Sequence, residues 1–322
     1  MKTILVGCLA HRYTGGLTLA HQLCYELKKQ GFNAKMYYYF GYGQPKVNPV
    51  NDNYKKYNLE YVTELIDQDD YIIVAPETNV NILRGIKKAK RVIWWMSVDN
   101  YFKSLKSKRY LVADLFGLRR FDIKQKDIIH LAQSYYAIDF LKKQGVQELN
   151  IEYLSDYLDT EFLENANAYL TAPKEDIVLY NPKKGWKFTQ ELIKQSGNIK
   201  WFALENLTHS EMKEKLGTSK VYVDFGNHPG KDRIPREAAI MGCCVITGKK
   251  GSAFFYEDVK IPDAYKFEDN FENIESIEKM IVECMQHYQQ RQLDFIEYKK
   301  MIVKEQAVFQ KDVFNIFSDL VK

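Results

Sequence analysis

The densest chemistry in the sequence lies in DFGNHPGKDRIPREAAIMGCCVIT, residues 224–247. Gly226 and Gly230 let the backbone come close to a ligand, and Lys231 and Arg233 offer positive charge to a phosphate. Pro235 suits the first turn of a helix, where its missing N–H costs nothing. Glu237 then falls in that first turn, beside free N–H groups that favour an anion. His228 and Asp232 add an imidazole and a carboxylate able to carry or hold a proton. The plainer reading has Glu237 complementing the helix dipole and Arg233 making a surface ion pair. A second stretch, YNPKKGWKFTQELI (180–193), puts Lys183, Lys184 and Gly185 in a polar loop ahead of a helical pattern. Lys184 is the better phosphate ligand because a glycine and a helix start follow it; Lys183 reads as a solvated lysine.

The first half of the chain carries fewer such groups. WWMSVDNYF (94–102) is an apolar run ending in Ser97, Asp99 and Asn100, which presents polar groups at a strand end. Asp99 and Asn100 are candidates for an acceptor hydroxyl or a base, and an Asx turn closing the strand explains them equally well. His11 sits in a loop that leads to Gly15 and Gly16, and a lone histidine there is more often structural. The segment 101–121, YFKSLKSKRYLVADLFGLRRF, interleaves aromatic and basic residues. That pattern fits an anionic membrane surface or a polyanionic acceptor, and it also fits a surface helix whose long side chains snorkel.

Positioning these loops requires alternating strands and helices. Thr3–Val6 reads as a strand, Leu17–Gln30 as a helix closed by Gly31, and Ala34–Phe40 as a second strand. Tyr71–Ala75 and Arg91–Met96 are apolar runs of the kind buried on both faces of a parallel sheet, with a helical crossover expected over Asn79–Lys90. The pattern restarts at Ile177–Tyr180 and continues through strands Lys200–Ala203, Val221–Phe225 and Cys244–Thr247. Helices are expected at Phe188–Gln195, His209–Leu216 and Arg236–Met241. In open sheets of this kind ligands bind beyond the carboxyl ends of the strands, where the loops 7–16, 97–102, 181–186 and 227–235 fall. Ser155–Asp176 has little periodicity. The expected organisation is an α/β chain with one Rossmann-like domain over 1–160, a linker over 161–176, and a second such domain over 177–295. A C-terminal helix over 296–322 is expected to pack back on the first domain.

Composition narrows the class. With 46 basic and 42 acidic residues the net charge is +4, too weak to imply nucleic-acid binding. Basic residues gather between Lys103 and Lys126, and Phe267–Glu278 is an acidic tract. Five cysteines without metal-type spacing argue against a disulfide framework and a zinc site, so a cytoplasmic protein is expected. MKTILVG reads as a buried first strand rather than a signal peptide. The loop 7–16 lacks a G-x-G-x-x-G fingerprint, which disfavours NAD.

PREAAIMGCCVIT resembles the segment P-x-E-A-x-x-x-G-x-P-V-I of family 4-type, usually retaining, glycosyltransferases with the GT-B fold. YNPKKGWKFTQELI resembles that family's strand, Lys-Gly loop and helix. LAQSYYAIDFLKKQGV resembles its last N-domain strand and helix, and Gly15 and Gly16 its glycine-rich acceptor-side loop. The resemblance implies two Rossmann-like domains facing a cleft, with Glu237 on the donor ribose and Lys184 on the donor diphosphate where Gly185 opens the helix. It implies a nucleotide-diphosphate sugar as donor, a glycan or lipid-linked acceptor, a role in surface polysaccharide or glycoconjugate synthesis, and no cofactor or metal. Two positions depart from the family. Pro229 stands eight places before Glu237, where a second glutamate is usual, and Leu179 stands five before Lys184, where an arginine is common. His228, Lys231, Asp232 and Arg233 are the candidates to replace the missing groups, with Asp99, His228 and Asp232 in catalytic roles. A nucleotide-sugar epimerase of the same fold and a degenerate, non-catalytic partner protein are the competing readings.

Overall fold

The computed structural model describes residues 2–41, 43–106, 121–170 and 172–322. The chain divides into two compact units, Met1–Asp156 with Ala307–Lys322, and Tyr157–Gln306.

Unit 1 is built on seven strands. These are β1 (Thr3–Leu9), β2 (Asn33–Tyr39), β3 (Tyr61–Val62), β4 (Tyr71–Pro76), β5 (Lys90–Trp95), β6 (Ile128–Ala132) and β7 (Ile151–Tyr153). Their order is β3-β2-β1-β4-β5-β6-β7, every pair parallel. The order reverses between β1 and β4, which makes that gap the topological switch point. Helix α1 (Gly15–Lys29) begins where the Thr14 side chain accepts the Leu17 N–H, and it buries Leu19, Leu23 and Leu27 at four-residue spacing. After β5, Ser97 caps α2 (Val98–Leu105) by accepting the Asn100 N–H. Helix α3 (Tyr135–Gln144) is capped in the same way by Ser134. Of the basic and aromatic segment 101–121, residues 107–120 lie outside the described residues, and Phe102 is exposed at its start.

Unit 2 holds a five-stranded sheet ordered β12-β11-β10-β8-β9, again all parallel. Its strands are β8 (Glu175–Tyr180), β9 (Lys200–Ala203), β10 (Ser219–Asp224), β11 (Cys244–Gly248) and β12 (Lys266–Phe267). Helices α4 (Thr160–Leu170), α5 (Trp186–Gln195), α6 (His209–Thr218), α7 (Arg233–Ile240) and α8 (Ile274–Gln286) accompany it. Strands β10 and β11 are buried throughout except at Lys220, so they bury both faces. The switch point here lies between β8 and β10. The last helix, α9 (Ile296–Val321), begins in unit 2 and belongs to unit 1 from Ala307 onward. There Gln30 donates to the Gln310 carbonyl at 2.8 Å, and Phe309, Val313 and Phe317 are buried.

Three expectations are corrected. The segment 161–176 is no linker: α4 occupies most of it, because Phe162 and Ala166, four residues apart, bury together in the unit 2 core. The crossover over 79–90 is only a 3-10 stretch, Glu77–Leu83, kinked at Asn79, since Thr78, Asn79, Val80, Asn81 and Ile82 are all weak helix formers. Helix α7 begins at Arg233 rather than at Arg236, so Glu237 lies beyond its first turn. No helix among the described residues is long and apolar enough to cross a membrane.

Candidate functional site

The loops leaving β8 and β10 meet backbone to backbone at the unit 2 switch point. Strand β8 is followed by an Asx turn in which Asn181 Oδ1 accepts the Lys183 N–H at 3.0 Å. Gly185 then takes a left-handed conformation, φ 55°, and starts α5. A Cβ on Gly185 would stand 2.3 Å from the Phe225 carbonyl oxygen, and one on Gly226 (φ 99°) would stand 2.5 Å from the Gly185 nitrogen. Only glycine satisfies both the dihedral and the approach at these positions. The Gly226 N–H is held in turn by Asp269 Oδ2 at 2.8 Å.

This contact delivers Lys184 into a carboxylate pair. Its Nζ lies 2.8 Å from Asp224 Oδ2 and 2.7 Å from Asp232 Oδ2. Asp224, 1% exposed, also accepts from the Tyr222 hydroxyl at 2.8 Å. Burial by itself would lower the lysine pKa, but the charges and hydrogen bonds of Asp224 and Asp232 outweigh it and raise the pKa above its ordinary value. Burial likewise pushes Asp232 up, while the hydrogen bond from His228 and the Lys184 charge pull it down, for a net lowering. His228, fully buried, sets Nδ1 2.8 Å from Asp232 Oδ2 and Nε2 3.2 Å from the Asp224 carbonyl oxygen. Ligand atoms of Asp224, His228 and Asp232 lie within 4.8 Å of one another, close enough to share a metal ion. The Lys184 ammonium already stands between the two carboxylates, so a divalent ion there would have to displace it.

Beyond Asp232 the chain turns into α7, which starts without a side-chain cap because the Asp232 carboxylate faces Lys184 and His228 instead. Arg236, fully buried, ties this turn together. Its Nη2 donates to the Lys231 carbonyl at 3.1 Å, its Nε to the Asp232 carbonyl at 3.2 Å, and its Nη1 to Glu305 at 2.8 Å. Lys231 departs from expectation: its Nζ is 2.9 Å from Glu305, with both side chains buried, so it serves the fold rather than offering a free charge to phosphate. Arg233 remains partly exposed with Nε 3.4 Å from Glu237 Oε1. Burial raises the Glu237 pKa against the pull of Arg233 and Arg236.

The structure therefore gathers Lys184, Gly185, His228 and Asp232 at one point, with the Arg233–Glu237 pair on the helix that follows. It adds Asp224, Arg236, Asp269 and Glu305, which the sequence reading did not select. Asp224 had a usable signal, a carboxylate at a strand end directly after the apolar run Val221–Val223.

The unit 1 candidates do not form a comparable cluster. His11 takes φ 62° and its Nε2 lies 3.0 Å from the Pro45 carbonyl oxygen, a structural role. Gly15 and Gly16 open α1, and a Cβ on Gly15 would meet nothing within 4 Å. Asp99 and exposed Asn100 lie in the first turn of α2, where Asp99 Oδ1 accepts from the Tyr136 hydroxyl at 3.0 Å. Glu77, also missed, follows β4 at the unit 1 switch point. It is 2% exposed and accepts the Met96 N–H at 3.2 Å. Burial raises its pKa to about 8.

These features define a two-unit chain of parallel α/β sheets with the GT-B fold. No family model matches the sequence, and no curated protein matches it. Solved structures do. Sucrose-phosphate synthase from Thermosynechococcus elongatus superposes with a TM-score of 0.62 at 12% identity, covering 99% of this chain and 98% of that one. Anabaena HepE in complex with UDP and glucose gives 0.65 at 10% identity, over 99% and 100%. WaaG, a glycosyltransferase involved in lipopolysaccharide biosynthesis, gives 0.55 at 11% identity, over 98% and 99%.

Proposed function

We propose that the chain is a glycosyltransferase that moves a sugar from a nucleoside-diphosphate sugar to a glycan or lipid-linked acceptor, in surface polysaccharide or glycoconjugate synthesis. The carrying observation is the placement of Lys184 at the unit 2 switch point, between two helices, α5 and α7, that both start without a side-chain cap. Lys184 has three N–H donors, and the two aspartates take two of them. In this reading the donor diphosphate takes the third, together with the uncapped amides and Arg233.

Bond cleavage leaves negative charge on the departing diphosphate. Fixed cations and helix amides stabilise that charge without reorganising, so the reading requires no metal ion and no cofactor. Glu237, freed from Arg233, accepts hydrogen bonds from the donor ribose. Asp232 and His228 set the position and charge of Lys184. In unit 1, Asp99 and Asn100 offer hydrogen bonds to the acceptor hydroxyl, with open space at Gly15 for its approach. The resemblance to family 4-type enzymes supports retention of the anomeric configuration, and the likeness to HepE with UDP and to WaaG supports the donor and the pathway class.

The test is a thermal-shift screen against UDP, GDP, ADP, CMP and their sugars. One nucleotide is expected to raise the melting temperature of the wild type and to do so much less for Glu237→Ala. Absence of any shift in the wild type would sink the reading.

A further inference from the structure

Asp269 lies in the acidic tract 267–278, just beyond β12, and its side chain is only 3% exposed. Oδ2 accepts the Gly226 N–H at 2.8 Å and receives Lys250 Nζ at 2.9 Å. Oδ1 has no hydrogen-bond partner among the described residues. It sits where a side chain on Gly248 would be, since a Cβ there would approach it to 2.3 Å. The bond to Gly226 is charge-assisted and so among the stronger kinds available to a backbone amide. It fixes the peptide plane joining Phe225 and Gly226, the same plane whose oxygen faces Gly185. A turn of that plane would drive backbone atoms into the Gly185 position and shift Lys184.

We propose that Asp269 is a positioning residue for diphosphate binding, acting through Gly226 and Gly185 to hold Lys184 in place, with Lys250 orienting its carboxylate. This deepens the donor-site reading above and rests on it. Asp269 touches no phosphate. It acts from 43 residues beyond Gly226 in the chain, in a tract whose sequence shows only that it is acidic.

The experiment measures dissociation constants of inorganic pyrophosphate and UDP for the wild type, Asp269→Ala and Asp269→Asn, with urea unfolding recorded for each. Asp269→Ala is expected to weaken both ligands about tenfold. Asp269→Asn keeps an oxygen for the Gly226 N–H and is expected to stay within about threefold. In a Lys184→Ala background the Asp269→Ala change is expected to add less than about twofold, because its effect runs through the lysine. Unchanged constants in Asp269→Ala overturn the proposal, as does an equal loss with and without Lys184. If Asp269→Ala does not fold, Gly248→Ala crowds Oδ1 instead and is expected to weaken pyrophosphate; no change there overturns the proposal as well. Wild-type protein that binds neither pyrophosphate nor any of UDP, GDP and ADP overturns the donor-site reading itself. Normal wild-type binding that is indifferent to Asp269 overturns only this inference.

Discussion

Gly185 and Gly226 lie backbone against backbone, so that a Cβ on the second would come within 2.5 Å of the nitrogen of the first. Their positive φ values and this approach make alanine unfavourable at both. Gly185→Ala and Gly226→Ala are each expected to cost about 2 kcal/mol or more in urea unfolding and to weaken nucleotide binding. Gly15→Ala, which meets open space at a helix start, is expected to change stability by less than about 1 kcal/mol. Equal effects at the three positions would refute the close approach.

Among the described residues, Asp224 Oδ2 is held by the Lys184 ammonium and the Tyr222 hydroxyl. Lys184→Ala strands a buried carboxylate and is expected to destabilise unit 2 by about 3 kcal/mol. Adding Asp224→Asn removes that stranded charge, so the double variant is expected to regain part of the stability while binding pyrophosphate no better than Lys184→Ala alone. Recovery of binding in the double variant would show that Lys184 is not the diphosphate ligand.

Asp232 has a folded-state pKa below its ordinary 3.8. A lowered carboxyl pKa contributes stability above the unfolded value and loses it as pH falls through the folded value. The wild type is therefore expected to lose more stability than Asp232→Asn as pH drops below 3.8, measured by urea unfolding across that range. At neutral pH, Asp232→Asn removes a negative charge beside Lys184 and is expected to tighten UDP binding several-fold, about 1 kcal/mol. A fall in kcat with unchanged UDP affinity would instead give Asp232 contact with the reacting atoms.

Glu77 shifts the other way, to about 8 from 4.5. A raised carboxyl pKa contributes stability that is full below the unfolded value and is lost as pH rises through the folded value. Between those values the wild type is expected to lose up to about 1.4 kcal/mol per pH unit relative to Glu77→Gln. Urea unfolding of both proteins from pH 5 to about 8 measures the difference, and parallel curves would refute a carboxyl whose burial outweighs its hydrogen bonds.

The sequence alone determined the alternation of strands and helices, because period and turn chemistry are local. It also determined which loops hold charge: Lys184 and Gly185 in one, His228, Asp232, Arg233 and Glu237 in the other, each within a short window. Tertiary structure decided what those charges meet. Lys184 finds its first carboxylate 40 residues away, and Arg236 finds Glu305 69 residues away. Such partners leave no local pattern, since opposite charges attract wherever the fold brings them and their spacing in the chain is set by intervening elements. For the same reason Lys231 looked available and is spent on Glu305, while nothing in the acidic tract 267–278 singled out Asp269, whose side chain is buried and holds the Gly226 N–H. Glu77 became notable only when the strand order put the switch point beside it.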